Sequence, residues 1–186
     1  MVGQEIVRVA SQFINLYETK SNAAWANILD PTKGKAESDE LDKAMLECGW
    51  SNGLPYCAAF AEAMCRIAYN NLKAPDSVSK RFSSSMTPSV MTSYNNFHKL
   101  GLITQVPTPG SLFFMQKGTS FEGHTGIVVA NNGATLATIE GNTSAGTAIS
   151  AEADRNGDGI FKKVRTNSFE KSAGLHLIGF LQPLTW

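Results

Sequence analysis

The hydrophobic period of the chain changes at Pro107, and no other feature narrows the fold so far. Upstream of it, apolar residues recur at helical spacing. Ile6, Val9, Phe13, Ile14 and Tyr17 form the inner stripe of an amphipathic N-terminal helix. A shorter helix is expected over residues 41–48, and another from Cys57 to about residue 71, with Phe60, Ala61, Met64, Ile67 and Ala68 on its buried side. A further helix over 90–100 stops at Gly101, a residue suited to a left-handed helix end. The polar stretch 18–40 reads as loop, and SSSMTPSV as a loop leading into the helix after it. Downstream, SLFFM, TGIVVA, ATLATIE, GIFKKV and LIGFLQP are short β-rich runs separated by Gly, Asn and Asp. Helices followed by an antiparallel sheet make an α+β chain, its N-terminal helices packed on a C-terminal sheet.

A length of 186 residues suffices for a substantial core, and without repeat or linker residues 1–186 read as one unit. Sixteen basic residues balance sixteen acidic ones, so neither nucleic acid nor an anionic membrane is favoured as a partner. Lys162, Lys163 and Arg165 read as a solvated strand face. The N-terminus lacks a positive start, and Glu5 and Arg8 interrupt its apolar run, so it reads as a helix of the fold rather than a secretory leader. No run is long enough to cross a bilayer. Synthesis in the cytoplasm without an export signal is the expectation. The three cysteines, Cys48, Cys57 and Cys65, are odd in number and form no CxxC. That pattern argues against a disulfide framework and a zinc site, and no metal or cofactor is expected.

One cysteine stands apart. In PYCAAFAEAM, Pro55 suits a helix start and puts Cys57 in the first turn, where unpaired N–H groups and the helix dipole favour a thiolate. Cys65 falls mid-helix, where a thiol is usually a small core hydrophobe. Cys48 ends the preceding helix and is the weaker alternative. A thiolate nucleophile needs a base, and the base needs an orienting acceptor. GHTGIVV supplies His124 between two glycines at the start of a strand, and TIEGN supplies Glu140 and Asn142 at the end of the next. His98 and His176 have no comparable neighbours and read as structural or exposed.

Register decides whether these groups meet. A two-residue turn at Asn132-Gly133 would turn Glu140 and Asn142 away from His124. A three-residue loop pairs Ala130 with Ala134 and sets His124 opposite Glu140, so that loop, or a bulge with the same effect, is predicted. Glu140 and Asn142 share a face, and either could orient the ring.

With PYCAAF, PTPGSLFFM, GHTGIVV, TIEGNTS, NGDGIFKK and LIGFLQP in this order, the chain resembles the CHAP family, the cysteine- and histidine-dependent amidohydrolases and peptidases of papain-like and NlpC-like fold. The resemblance implies a thiol hydrolase that cuts amide bonds of bacterial peptidoglycan, as an amidase or endopeptidase. It implies Cys57 as nucleophile, His124 as base, and Glu140 and Asn142 as their polar partners. Ser111 stands where the family often has Asp, and Tyr56 where Trp is frequent. The segment 24–50 matches no part of the pattern.

Two other readings compete. A papain-like protease acting on a protein would use the same site chemistry. A calcium-binding module is suggested by DRNGDG, with Asp154, Asn156 and Asp158 at EF-hand spacing, but position twelve is Arg165, no flanking helix pair is evident, and a tight turn explains the run better. A wall hydrolase without an export signal implies another route to the wall. Release as a phage-type endolysin is one route. Injection as an interbacterial toxin effector, by a contact-dependent machine such as type VI secretion, is the other and implies a cognate immunity protein.

Overall fold

The computed structural model describes residues 1–20, 24–27, 34–51, 53–144 and 159–186, with the backbone alone described at 18–20, 24–27 and 34–38. Helix α1 (Val2–Ser11) is followed by strands β1 (Leu16–Lys20) and β2 (Ala24–Asn27). Four helices come next: α2 (Gly34–Leu46), α3 (Cys57–Asn71), α4 (Asp76–Ser83) and α5 (Val90–Lys99). Strands β3 (Ile103–Thr104), β4 (Leu112–Lys117), β5 (Gly123–Asn131), β6 (Thr135–Thr143), β7 (Gly159–Thr166) and β8 (Leu175–Leu181) complete the order. Among the described residues, eight strands form one sheet in the order β2-β1-β7-β6-β5-β4-β8-β3, and every pairing is antiparallel.

The main core lies between the helices and one face of this sheet. Ile6 and Val9 of α1, Phe60 and Met64 of α3 and Phe97 of α5 meet Leu112, Phe114, Ile127, Ile139 and Ile160 there. The residues between them in sequence, Phe113, Met115, Val128 and Leu136, point the other way and join Leu177 and Phe180 in a smaller cluster. Both faces of the central strands are therefore apolar, which is why SLFFM reads as a continuous run rather than an alternation. The architecture is α+β, helices on an antiparallel sheet, in keeping with a papain-like fold.

The division into helical and sheet halves needs correction at the N-terminal end. The first helix stops at Ser11, and Asn15 turns the backbone left-handed (φ 71°) while its N–H bonds Ile160 O at 2.8 Å. Tyr17 then pairs with Gly159 as part of β1. That partner is far along the chain, so local periodicity carried the helix too far. Nor is 18–40 simply loop, because it holds the end of β1, all of β2 and the start of α2; residues 21–23 and 28–33 lie outside the described residues. Helix α4 was not legible either. It begins after Pro75 with Asp76 in its first turn, and Phe82 is its one buried residue, too little for a periodic stripe.

Candidate active site

Helix α3 starts at Cys57 because the turn before it is pinned. The Trp50 Nε1–H donates to Leu54 O at 2.8 Å, and the Trp50 ring meets Tyr56 edge-on with centroids 6.2 Å apart. The first turn of α3 contains no acidic residue to compete with a thiolate for its unpaired N–H groups. Cys57 itself is nearly buried, 5% exposed. Glycine sets how close the helix comes to the sheet: a Cβ on Gly141 would lie 2.8 Å from Cβ of Phe60, one turn into α3. This contact brings the helix start to the end of the sheet where β5 begins and β6 finishes.

The β5–β6 hairpin reaches the required face by a bulge, the second of the two predicted routes, and not by the three-residue loop. Asn131 pairs with Leu136 and Ala130 with Ala137, not with Ala134, and Asn132 N–H bonds Thr135 O at 2.9 Å. The loop is thus shifted from the three-residue form. Left uncorrected, this register would turn Glu140 away from His124. A bulge between Val128 and Ala130 resets it, and Ile127 pairs with Ile139. Counting on from that pair puts Glu140 across from Gly126 and on the face of His124, two residues away, with Asn142 across from His124. Gly126 is needed for this: a Cβ there would lie 2.8 Å from Cγ of Glu140 and 2.9 Å from Phe113.

His124 is fully buried, its ring against Phe113 with centroids 6.0 Å apart. Its Nε2 stands 2.9 Å from Glu140 Oε2. With the carboxylate ionised, Nε2 carries the proton and donates, which leaves Nδ1 as the basic nitrogen. Nδ1 has no hydrogen-bond partner among the described residues, and the Cys57 thiol acts on the ring. Burial alone would lower the pKa of the ring, but interactions with Cys57 and Glu140 outweigh it and raise it to about 9. Such a ring can hold a proton taken from the neighbouring thiol. Asn142 sits two residues beyond Glu140 with a left-handed backbone (φ 56°), a conformation that Asn tolerates better than most residues, and is 1% exposed.

Glu140, also fully buried, is held by more than His124. The Arg165 Nε donates to its Oε1 at 2.8 Å, the Arg165 Nη2 bonds Oε2, and the Thr138 hydroxyl donates to Oε1 at 2.5 Å. Burial would raise the carboxyl pKa, yet Arg165, followed by His124, holds it well below the usual carboxylate range. The expected solvated face of Lys162, Lys163 and Arg165 is therefore wrong for two of the three. Lys162 is exposed, but Lys163 is buried with its Nζ donating to Ser144 O at 3.1 Å, and the Arg165 side chain is 10% exposed. Alternation along β7 puts Phe161, Lys163 and Arg165 on the face of Glu140, while Val164 points outward, 74% exposed. Apolar residues mark the inner face of most strands, and that habit hid Arg165 and its companion Thr138.

The other cysteines have different surroundings. Burial, then the nearby Glu62 charge, pushes the Cys48 thiol up to about 12 despite Arg66 beside it, and the same causes push Cys65 higher. His98 stacks on Tyr94, and His176 is buried near Gly174 O. Ser111, where the family pattern often has Asp, accepts the Thr108 N–H at 3.0 Å, so an acceptor is kept there. The acidic residues of DRNGDG, Asp154 and Asp158, lie outside the described residues.

The model of the CHAP domain matches residues 49–142, half of the chain, and this span holds Cys57, His124, Glu140 and Asn142. The chain belongs to the CHAP family, whose members are peptidoglycan-hydrolysing amidases and peptidases. No curated protein matches its sequence significantly.

Proposed function

We propose that the protein is a cysteine-dependent peptidoglycan amidase or endopeptidase in which Cys57 is the nucleophile, His124 the base and Glu140 the residue that orients it. The supporting observation is the pair of interactions at His124: Glu140 on Nε2 at 2.9 Å, and on the same ring the one thiol that stands at a helix start. In this reading the thiol proton passes to His124 Nδ1 and the Cys57 sulfur attacks an amide carbonyl. The first-turn N–H groups of α3, that of Cys57 among them, receive the developing oxyanion. His124 then protonates the leaving amine, and water releases the acyl group from the thioester. Asn142 lines the same end of the sheet as a polar partner. Residues 1–186 act as one unit, since α1 and β8 contribute to the same core.

The reading extends to delivery as an interbacterial effector or a phage-type endolysin. Residues Val2–Ser11 bury Ile6, Val9 and Ala10 in the core, so this segment serves the fold. Among the described residues, no helix is long and apolar enough to cross a membrane. The test is expression in a bacterium with and without an added export signal. Lysis that requires both export and Cys57 supports the reading. Toxicity confined to the unexported form, with cleavage of casein rather than sacculi, overturns it in favour of a protease acting on a cytosolic protein.

A further inference from the structure

Arg165 has no part in the Cys-His-Glu/Asn arrangement, lies outside the residues 49–142 matched by the family model, and yet makes the densest polar contact of the site. Its guanidinium bonds both oxygens of a carboxylate that is 0% exposed, and the oxygen it shares with His124 is the one that holds the ring. Charge counting shows what such a contact does. A buried cluster resists net charge, because each uncompensated ion loses its hydration. With Arg165 present, the resting cluster of Arg165⁺, Glu140⁻, neutral His124 and neutral Cys57 has no net charge. Moving one proton from Cys57 Sγ to His124 Nδ1 breaks the S–H bond and forms an N–H bond, again without net charge. Without Arg165, neutrality is reached only by adding a proton to the Glu140–His124 pair. On His124 that proton occupies the base. On Glu140 it removes the anion that supports the imidazolium.

We infer that Arg165 is the charge-balancing positioning residue of this site, keeping Glu140 ionised while leaving Nδ1 of His124 empty for the proton of Cys57. This rests on the proposed roles of Cys57 and His124. The ionisable groups acting on His124 are Glu140 from β6 and Cys57 from α3, and those acting on Glu140 are Arg165 from β7 and His124 from β5. Thr138 adds an uncharged donor to Oε1 and fixes the carboxylate plane without changing the count.

The test compares Arg165→Gln, Arg165→Lys and the double variant Glu140→Gln/Arg165→Gln. Two pH profiles are recorded: loss of turbidity of purified sacculi, and alkylation of Cys57 by iodoacetamide followed by peptide mass spectrometry. Arg165→Gln is expected to move the acid limb of both profiles upward by about one pH unit or more. Arg165→Lys, which keeps the charge, recovers most of that shift. The double variant, which removes both charges, returns the alkylation profile towards that of the unaltered protein. A role confined to packing would lower the melting temperature and leave both limbs in place, and that result overturns the inference. If Arg165→Gln does not fold, an alkylation profile of the double variant displaced as far upward as one pH unit overturns it equally. Full sacculus cleavage by Cys57→Ala would instead overturn the proposed function, which separates the two failures.

Discussion

Two buried clusters on α3, eight residues apart at their cysteines, show how partners decide what burial does to an ionisable group. Around Cys65 the neighbours are Cys48, Glu62 and Arg66, with Arg66 Nη1 at 3.9 Å from Glu62 and 3.5 Å from Cys48 Sγ. Desolvation dominates there: both thiols are pushed up, and the Glu62 carboxyl is raised to about 7. Around Cys57 desolvation is just as complete at His124 and Glu140, but partners outweigh it. Arg165 holds Glu140 charged, Glu140 holds His124, and His124 is raised to about 9. The difference is not depth but compensation. One cluster contains a single cation too far from its carboxylate to offset burial, and the other contains a bidentate pair continued into a ring.

The contrast can be broken most directly at its base. His124→Ala should lower sacculus hydrolysis by about a thousandfold or more, nearly as far as loss of the thiol, because residues acting as a unit are not additive. Glu140→Gln should lower it roughly a hundredfold if the carboxylate orients and supports the ring. A larger loss with Asn142→Ala than with Glu140→Gln, measured in the same turbidity assay, would move the orienting role to Asn142. Gly126→Ala tests the route by which Glu140 reaches His124. A Cβ 2.8 Å from Glu140 Cγ and from Ile139 O must displace one of them, so a loss of about 1–3 kcal/mol in chemical denaturation is expected, together with reduced activity.

The smallest effect belongs to the other cluster and concerns stability alone. Glu62 is 5% exposed, and its folded pKa of about 7 lies above the ordinary 4.5. For a raised pKa, the folded state binds the proton more tightly, so stability is fully present below pH 4.5 and declines as pH rises through 7. Glu62→Gln escapes this decline. It should stabilise the protein at pH 8 by on the order of 1–2 kcal/mol, fading by pH 5, in melting curves recorded at both values.

Much of this was legible in the sequence, and the gaps have physical causes. Cys57, His124 and Glu140 stood out as candidates because each lies beside its own local signal: Pro55 before a helix, glycines around a strand start, a carboxylate one hairpin away. A bulge was one of the two routes the register argument allowed, but its place at Val128–Ala130 could not be found, since one extra residue in a strand changes no local pattern, although it determines which face Glu140 takes. Arg165 was hidden because a positive residue on an alternating strand is ordinarily solvated, and only its distant partner makes it buried. Strand β1 was hidden for the same reason, its pairing with β7 being long-range.

The central claim is that Cys57, and not another thiol of this helix, cleaves peptidoglycan amides. Purified sacculi should be incubated with the unaltered protein, Cys57→Ala and Cys65→Ala, and the released fragments identified by mass spectrometry. The account predicts fragments with newly formed amine and carboxyl ends from the unaltered protein and from Cys65→Ala, and none from Cys57→Ala. Equal release by Cys57→Ala, or release lost only in Cys65→Ala, would contradict it.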